Sequence, residues 1–298
     1  MSTITLQSLC QALNLEFHGD GSLEVHGVSS VDQQKPGTVI MAESAEQLGL
    51  ISADSVAVLH PESLEVERPG ISCSNPRIGF AKVLEHFYPT HRPEPGVHES
   101  ATVDSRAEVD ESAYVGPFCV VGPRAKVGAG VILRGYVVLG EGSSVGAGSI
   151  LQPHVVVGSG ASVGADCQLE AWSKVGEGAG IGNGVDLGAH TSISKDAQVK
   201  DGAKADNLVL VGPRSVIGEG SLLVGQSAVD RDAVLYRGVI VAGQGSVGPE
   251  AVLHDGVQVG GRSLALGELK EPGPYLGSPA IPLKDEMRRR VQERRKKQ

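Results

Sequence analysis

The chain has 298 residues, 26 Lys and Arg against 35 Asp and Glu, a net charge of −9 at pH 7, 41 Gly, and ten aromatic side chains: one Trp, five Tyr and four Phe. An apolar content of 40% without a Gly-X-Y period excludes collagen and a disordered chain, and the acidic balance excludes a general attraction for nucleic acid. With aromatics at 3%, the core must be built from Val, Ile, Leu and Ala.

The first residues carry no basic segment leading into an apolar one, and no stretch approaches the roughly 18 apolar residues of a membrane span, so a cytoplasmic protein is expected. Leu6, Leu9, Leu13 and Leu15 predict a first helix, and His18-Gly19-Asp20-Gly21 predicts a turn. Short strands follow over Ser22 to Val31, Thr38 to Met41 and Ser55 to Leu59. Asn75-Pro76 opens a second helix from Arg77 to Phe87, with Phe80, Val83, Leu84 and Phe87 on one face. Pro89, Pro93 and Pro95 read as a linker. Cys10, Cys73, Cys119 and Cys167 lie far apart without ligand spacing, so buried thiols are expected, with no disulfide, no metal and no cofactor.

From Val97 to Val259 every sixth residue is Val, Ile or Leu, with Ala205 as the exception. The residue after each is often Gly, and the fifth of each hexad is mostly small or β-branched, as at Ala101, Ala113, Cys119 and Ser143. Six residues make a short strand and a turn, and three hexads make a triangular coil whose strands pair with those above and below. First-position aliphatics then fill the prism, fifth-position residues share its narrow interior, and Gly serves the corners. About nine coils give a rod of roughly 43 Å at the usual strand spacing. Its open ends need caps, which sets the expected division: an α/β domain with linker over 1–96, the β-helix over 97–264, and an extension with a basic helix over 265–298.

Residues 18 apart stack, and the fourth position of every third hexad reads Phe118, Tyr136, His154, Trp172, His190, Leu208, Gln226, Gln244. Three readings of this aromatic column stand: a subunit interface, a stripe that holds a sugar or acyl chain with His154 or His190 as base, or ordinary surface aromatics. Gly176 to Gly182 is Gly-rich but has no helix after it, so it is a run of repeat corners rather than a nucleotide loop. The tail contains Arg288, Arg289, Arg290, Arg294, Arg295, Lys296 and Lys297, and predicts a short helix with a basic face.

The hexads resemble the left-handed parallel β-helix of the hexapeptide acyltransferases. The Leu-rich first helix, His18-Gly19-Asp20-Gly21, Lys35-Pro36-Gly37, Ala53 to Val58, Ser74-Asn75-Pro76, Glu271 to Tyr275 and Gly277 to Pro282 are similar to the UDP-3-O-acylglucosamine N-acyltransferases of lipid A synthesis. That resemblance implies a homotrimer that moves a 3-hydroxyacyl chain from acyl carrier protein to the amine of a sugar-nucleotide lipid precursor. It also supports capture of the carrier by Arg288, Arg289, Arg294 and Arg295, while the acidic balance and the lack of an apolar span lead to the expectation of no nucleic-acid partner and at most peripheral membrane contact. The family's catalytic His, at a third hexad position, is replaced here by Pro213, or by Gly225 in a slipped alignment. His98, His154, His190 and His254, the His of the repeat, all lie at other positions. The family's aromatic uracil clamp is not apparent either: no Phe, Tyr or Trp falls between Phe17 and Phe80, and Met41 stands where the first is expected. The Asp206-Asn207 pair resembles one in the family, or forms a local turn. The alternatives are a relocated base with the same reaction, acylation of a different amino sugar, and a non-catalytic homologue that binds a lipid precursor or protein partner.

Overall fold

The computed structural model describes residues 3–52, 57–88 and 93–296, with side chains as far as Arg294. The chain divides into two compact units, residues 1–92 and 93–298.

The first unit contains β1 (Ile4–Thr5), α1 (Leu6–Leu13), β2 (Glu16–His18), β3 (Glu24–Val25), β4 (Val28–Ser29), β5 (Val39–Met41), α2 (Ala45–Gly49), β6 (Ala57–Pro61), β7 (Gly70–Cys73) and α3 (Pro76–Phe87). A five-stranded sheet runs β2-β7-β6-β5-β4. Its β2–β7 pair is antiparallel and the others are parallel. Leu6 and Leu9 of α1 and Val83 of α3 pack with Val39, Ala57, Leu59 and Ile71 on one face, and Ile40, Ala42, Ile51 and Val58 form a second cluster. Burial on both faces explains why Ala57 to His60 is buried without alternation.

The expected first helix stops at Leu13 because Asn14, in the left-handed region, caps it, so Leu15 lies outside. Asn75 caps α3 by accepting from the Ile78 N–H, with Pro76 at the first helical position. Leu84 of α3 is 39% exposed and does not join the buried face. The expected strand over 22–31 is two pieces, β3 and β4, and β2, β7 and α2 carry too few apolar residues to have been predicted. Ser55 of the third expected strand, and Pro89 of the expected linker, lie outside the described residues.

The second unit is a left-handed parallel β-helix built from two-residue strands, each formed by the last residue of one hexad and the first of the next. Three ladders of ten, twelve and ten strands form its faces. Their register advances by 18 residues per coil, as in Val115↔Leu133, Leu133↔Leu151 and Leu151↔Leu169. First-position side chains from Val115 to Val259 are buried. Val97, at the open end of the first coil, is 53% exposed because no coil lies beneath it. Burying each such aliphatic against the coils above and below contributes about 1.5–3 kcal/mol relative to leaving it exposed.

The coil continues beyond Val259 through Ala265, Leu269 and Tyr275, all buried. Here the register shortens to 16 residues, Leu253↔Leu269 and Val259↔Tyr275, so the prism is longer than the hexads alone indicate. A hairpin of Gly273–Gly277 and Ala280–Pro282 and then α4 (Leu283–Lys296) follow.

Glycine has two separate roles in the prism. At second positions it allows close approach of successive coils: a Cβ on Gly218 would lie 2.2 Å from the Tyr236 carbonyl oxygen. The corners themselves are at fourth positions, where every residue from Phe118 to Arg262 has a positive φ whether or not it is glycine. One corner column is glycine except at Asp166, whereas the column from Phe118 to Arg262 contains no glycine. The expectation that Gly serves the corners therefore holds for one edge, for part of a second, where Gly142, Gly160 and Gly178 sit among charged residues, and not for the third.

Candidate functional site

A left-handed conformation costs a residue with a Cβ about 1–2 kcal/mol. Phe118, Tyr136, His154, Trp172 and His190 all adopt it, at φ 58°, 63°, 66°, 66° and 58°. Their rings stack in sequence, with centroids 5.0, 4.9, 4.0 and 6.1 Å apart and planes within 20° of parallel. Phe118, Tyr136 and Trp172 remain 54%, 49% and 55% exposed. The rings thus cover one another's faces and present their edges to solvent. A sugar cannot stack on the interior rings. Only the outer faces of Phe118 and His190 are left uncovered by another ring. Above Leu208 the column turns polar: Gln244 Nε2 donates to Gln226 Oε1 at 2.9 Å, and Arg262 Nε donates to Gln244 Oε1 at 2.7 Å.

His154 is held between Tyr136 and Trp172, whereas His190 ends the stack and is exposed. His190 follows by two residues Gly188, which lines a groove of about 610 Å³ on the adjoining face. Leu187, Ala205, Leu222 and Val224 give this groove apolar surface, and Gln168, Glu170, Asp186, Lys204, Asp206 and Asn207 give it polar groups. Lys204 Nζ donates to Asp186 Oδ2 at 2.7 Å. Asp206 accepts from the Asn207 N–H at 2.7 Å and the Gly225 N–H at 3.2 Å, and Asn207 Oδ1 accepts from the Ala189 N–H at 2.7 Å. Only the Asn207 N–H bond is local to the turn; the other two tie the pair to the coils on either side, and the pair borders the groove.

Pro213 occupies another corner. Its carbonyl accepts from the Asp232 N–H, and its neighbour Arg214 makes two 2.7 Å hydrogen bonds to the Asp232 carboxylate. His190 and Pro213 therefore belong to different edges of the prism, so a base at His190 would not be a short slide along one column. Of the other repeat His, His98 bonds Ser100 Oγ at 2.9 Å, and His254 stacks on Tyr236 at 5.2 Å while pairing with Glu268 at 2.9 Å.

Met41 lines a pocket of about 470 Å³ with Val28, Ser29, Val31, Asp32, Gln47 and Phe80. Phe80, distant in sequence, supplies one aromatic there. The same unit contains a contact that sequence reading missed: His18 Nε2 lies 2.9 Å from His60 Nε2, with His60 Nδ1 3.0 Å from the Pro61 carbonyl. Burial, then the His60 charge, pushes the His18 pKa below the ordinary histidine value.

In α4, Glu286 is buried beside Gly277. It accepts from Arg290 Nε at 2.8 Å and pairs with Arg289 at 2.8 Å; the Arg290 hydrogen bond leads in holding its carboxyl below the usual range. Arg288 pairs with Asp285 at 3.3 Å, and Arg294 is exposed. The side chain of Arg295 lies outside the described residues. The four cysteines are free; burial pushes the Cys10 thiol up to about 11 and raises Cys73, Cys119 and Cys167. Among the described residues no group of three or more His, Cys, Asp or Glu could hold a metal, and no helix is long and apolar enough to cross a membrane.

These features define a hexapeptide-repeat β-helix protein with a groove of mixed apolar and polar lining on the face next to a ringed edge. Residues 97–189 match the family model described as the GMPPB C-terminal domain. The UDP-3-O-acylglucosamine N-acyltransferase of Coxiella burnetii (strain RSA 493 / Nine Mile phase I) is 30% identical over 131 residues, covering 41% of this chain and 38% of its own. UDP-3-O-acylglucosamine N-acyltransferase 1 of Legionella pneumophila (strain Paris) is 31% identical over 105 residues, covering 35% and 30%. The enzyme of that name from Syntrophotalea carbinolica is 33% identical over 122 residues, covering 40% and 35%. The chain thus aligns with 38% or less of the length of these curated relatives. A solved UDP-N-acetylglucosamine acyltransferase of Francisella novicida superposes with a TM-score of 0.48 at 18% identity, over 65% of this chain and 73% of that one. The curated relatives bear out the resemblance to the UDP-3-O-acylglucosamine N-acyltransferases.

Proposed function

We propose that the protein is an N-acyltransferase of the lipid A type, transferring a 3-hydroxyacyl chain from acyl carrier protein to the amine of a UDP-3-O-acylglucosamine-type acceptor. The relatives' names support the reaction class. The observation that carries it is His190, exposed at the end of the ring stack and two residues along the chain from Gly188, which lines a groove with both apolar and polar walls. In this reading the amine nitrogen attacks the thioester carbonyl, the C–N bond forms and the C–S bond breaks. His190 takes a proton from nitrogen and returns it to the leaving thiolate, giving amide and free thiol. His154 is the weaker candidate because it is less exposed than His190 and none of its chain neighbours lines the groove.

The active form in this proposal is a homotrimer. Phe118, Tyr136 and Trp172 with Val120, Val138 and Val156 form an exposed apolar strip of the kind that subunit interfaces cover. Exposed arginines of α4 such as Arg294, with Arg288 and Arg289 partly engaged by their own helix, would meet the acidic carrier. Single-turnover transfer from 3-hydroxyacyl carrier protein to UDP-3-O-acylglucosamine, with a His-containing relative as control, tests the reading. Transfer well above background supports it, and no transfer beside an active control refutes it. Pro213 favours a second reading, a non-catalytic homologue that binds a lipid precursor or a protein partner.

A further inference from the structure

The groove beside His190 has an ionic character that the proposed reaction does not by itself specify. Three carboxylates, Glu170, Asp186 and Asp206, face it with one ammonium, Lys204. Lys204 is committed to Asp186. The Glu170 carboxylate is exposed and has no side-chain partner among the described residues. The two backbone N–H groups that hold Asp206 fix its carboxylate in place and leave further acceptor sites on it. Apolar surface from Leu187, Ala205, Leu222 and Val224 lies between these charges, and Ala205 is the one interior hexad position where Val, Ile or Leu is replaced. A groove of about 610 Å³ with this lining disfavours a phosphate and favours a cation attached to a compact, partly apolar body.

We infer that this groove binds the acceptor by its protonated amine, with Glu170 and Asp206 receiving the ammonium, and that any diphosphate of the acceptor lies outside it. The inference rests on the proposed acyl transfer for its choice of an amino sugar. The carboxylates act as positioning residues: they hold the ammonium in the groove, one of its protons leaves to solvent to give the free amine, and the second passes through the base to the leaving thiolate when the amide forms.

Saturation-transfer NMR on the full chain with methyl glucosaminide, its N-acetyl form and methyl glucoside tests this without reference to turnover. Methyl glucosaminide is expected to bind and the two ligands without a basic amine are not. Glu170→Gln is expected to weaken binding about tenfold or more, the loss of one charge-assisted contact. Asp206→Asn should do the same while retaining an oxygen acceptor for the Gly225 N–H, and matching circular dichroism and thermal melts establish that both variants are folded. Equal binding of the N-acetyl form, or binding of methyl glucosaminide that survives both substitutions, would overturn the inference. Amine-dependent binding without acyl transfer in the single-turnover assay would support the groove assignment and refute the reaction. Transfer without amine-dependent binding would do the reverse.

Discussion

Replacing Trp172 by Ala and by Gly separates the strain of the ringed edge from its stacking. Both variants remove the ring that lies 4.0 Å from His154 and 6.1 Å from His190. Aromatic pairs contribute about 0.5–1.5 kcal/mol each, so losing a close partner and a distant one should cost about 1–2 kcal/mol in either variant. The backbone at 172 sits at φ 66°. Ala must still bear the left-handed penalty of about 1–2 kcal/mol, and Gly does not. Gly instead gives up about 0.5–1 kcal/mol through the extra freedom of its unfolded chain. The two terms leave Trp172→Gly more stable than Trp172→Ala by about 0.5–1 kcal/mol, the reverse of their order in an ordinary strand or helix. Urea denaturation of both variants at matched protein concentration measures this difference, and light scattering on the same samples follows assembly. Equal midpoints, or a more stable Ala variant, would refute the claim that a residue with a Cβ bears a left-handed backbone cost at this corner. Retention of the trimer by both variants would remove Trp172 from the proposed interface.

His190→Ala is expected to lower single-turnover acyl transfer at least a hundredfold with the fold unchanged, and wild-type rates would remove His190 from the mechanism. Gly218→Ala should destabilise the prism by about 2 kcal/mol or more, because its Cβ would lie 2.2 Å from the Tyr236 carbonyl oxygen and neither backbone can yield; a urea midpoint equal to wild type would contradict that packing. The His18 pKa lies below its unfolded value, so stability is full above about pH 6.5 and is lost as pH falls through the folded value. Urea midpoints between pH 7.5 and 5 should therefore decline in the wild type and flatten in His18→Gln, before the lowered carboxylates such as Asp104 and Asp110 begin to titrate. An unchanged slope in the variant would discount the His18–His60 contact.

Much of this protein is legible in its sequence because one short-range rule repeats. A six-residue period with Val, Ile or Leu at its first position admits few structures, and it places Phe118, Tyr136, His154, Trp172 and His190 on one edge by counting alone. The same counting shows that Pro213 is not an imidazole and that the repeat has no third-position His. The period does not decide contacts that occur only once. That the rings stack on each other, leaving edges rather than faces for a partner, depends on side-chain orientation around a left-handed corner. The meeting of His18 with His60 follows from the pairing β2-β7-β6, which joins segments more than 40 residues apart. The seating of Glu286 against Gly277 depends on how α4 docks after the last hairpin. Periodicity is a local property that every coil restates, whereas these contacts depend on a single long-range placement that no repeated pattern in the chain encodes.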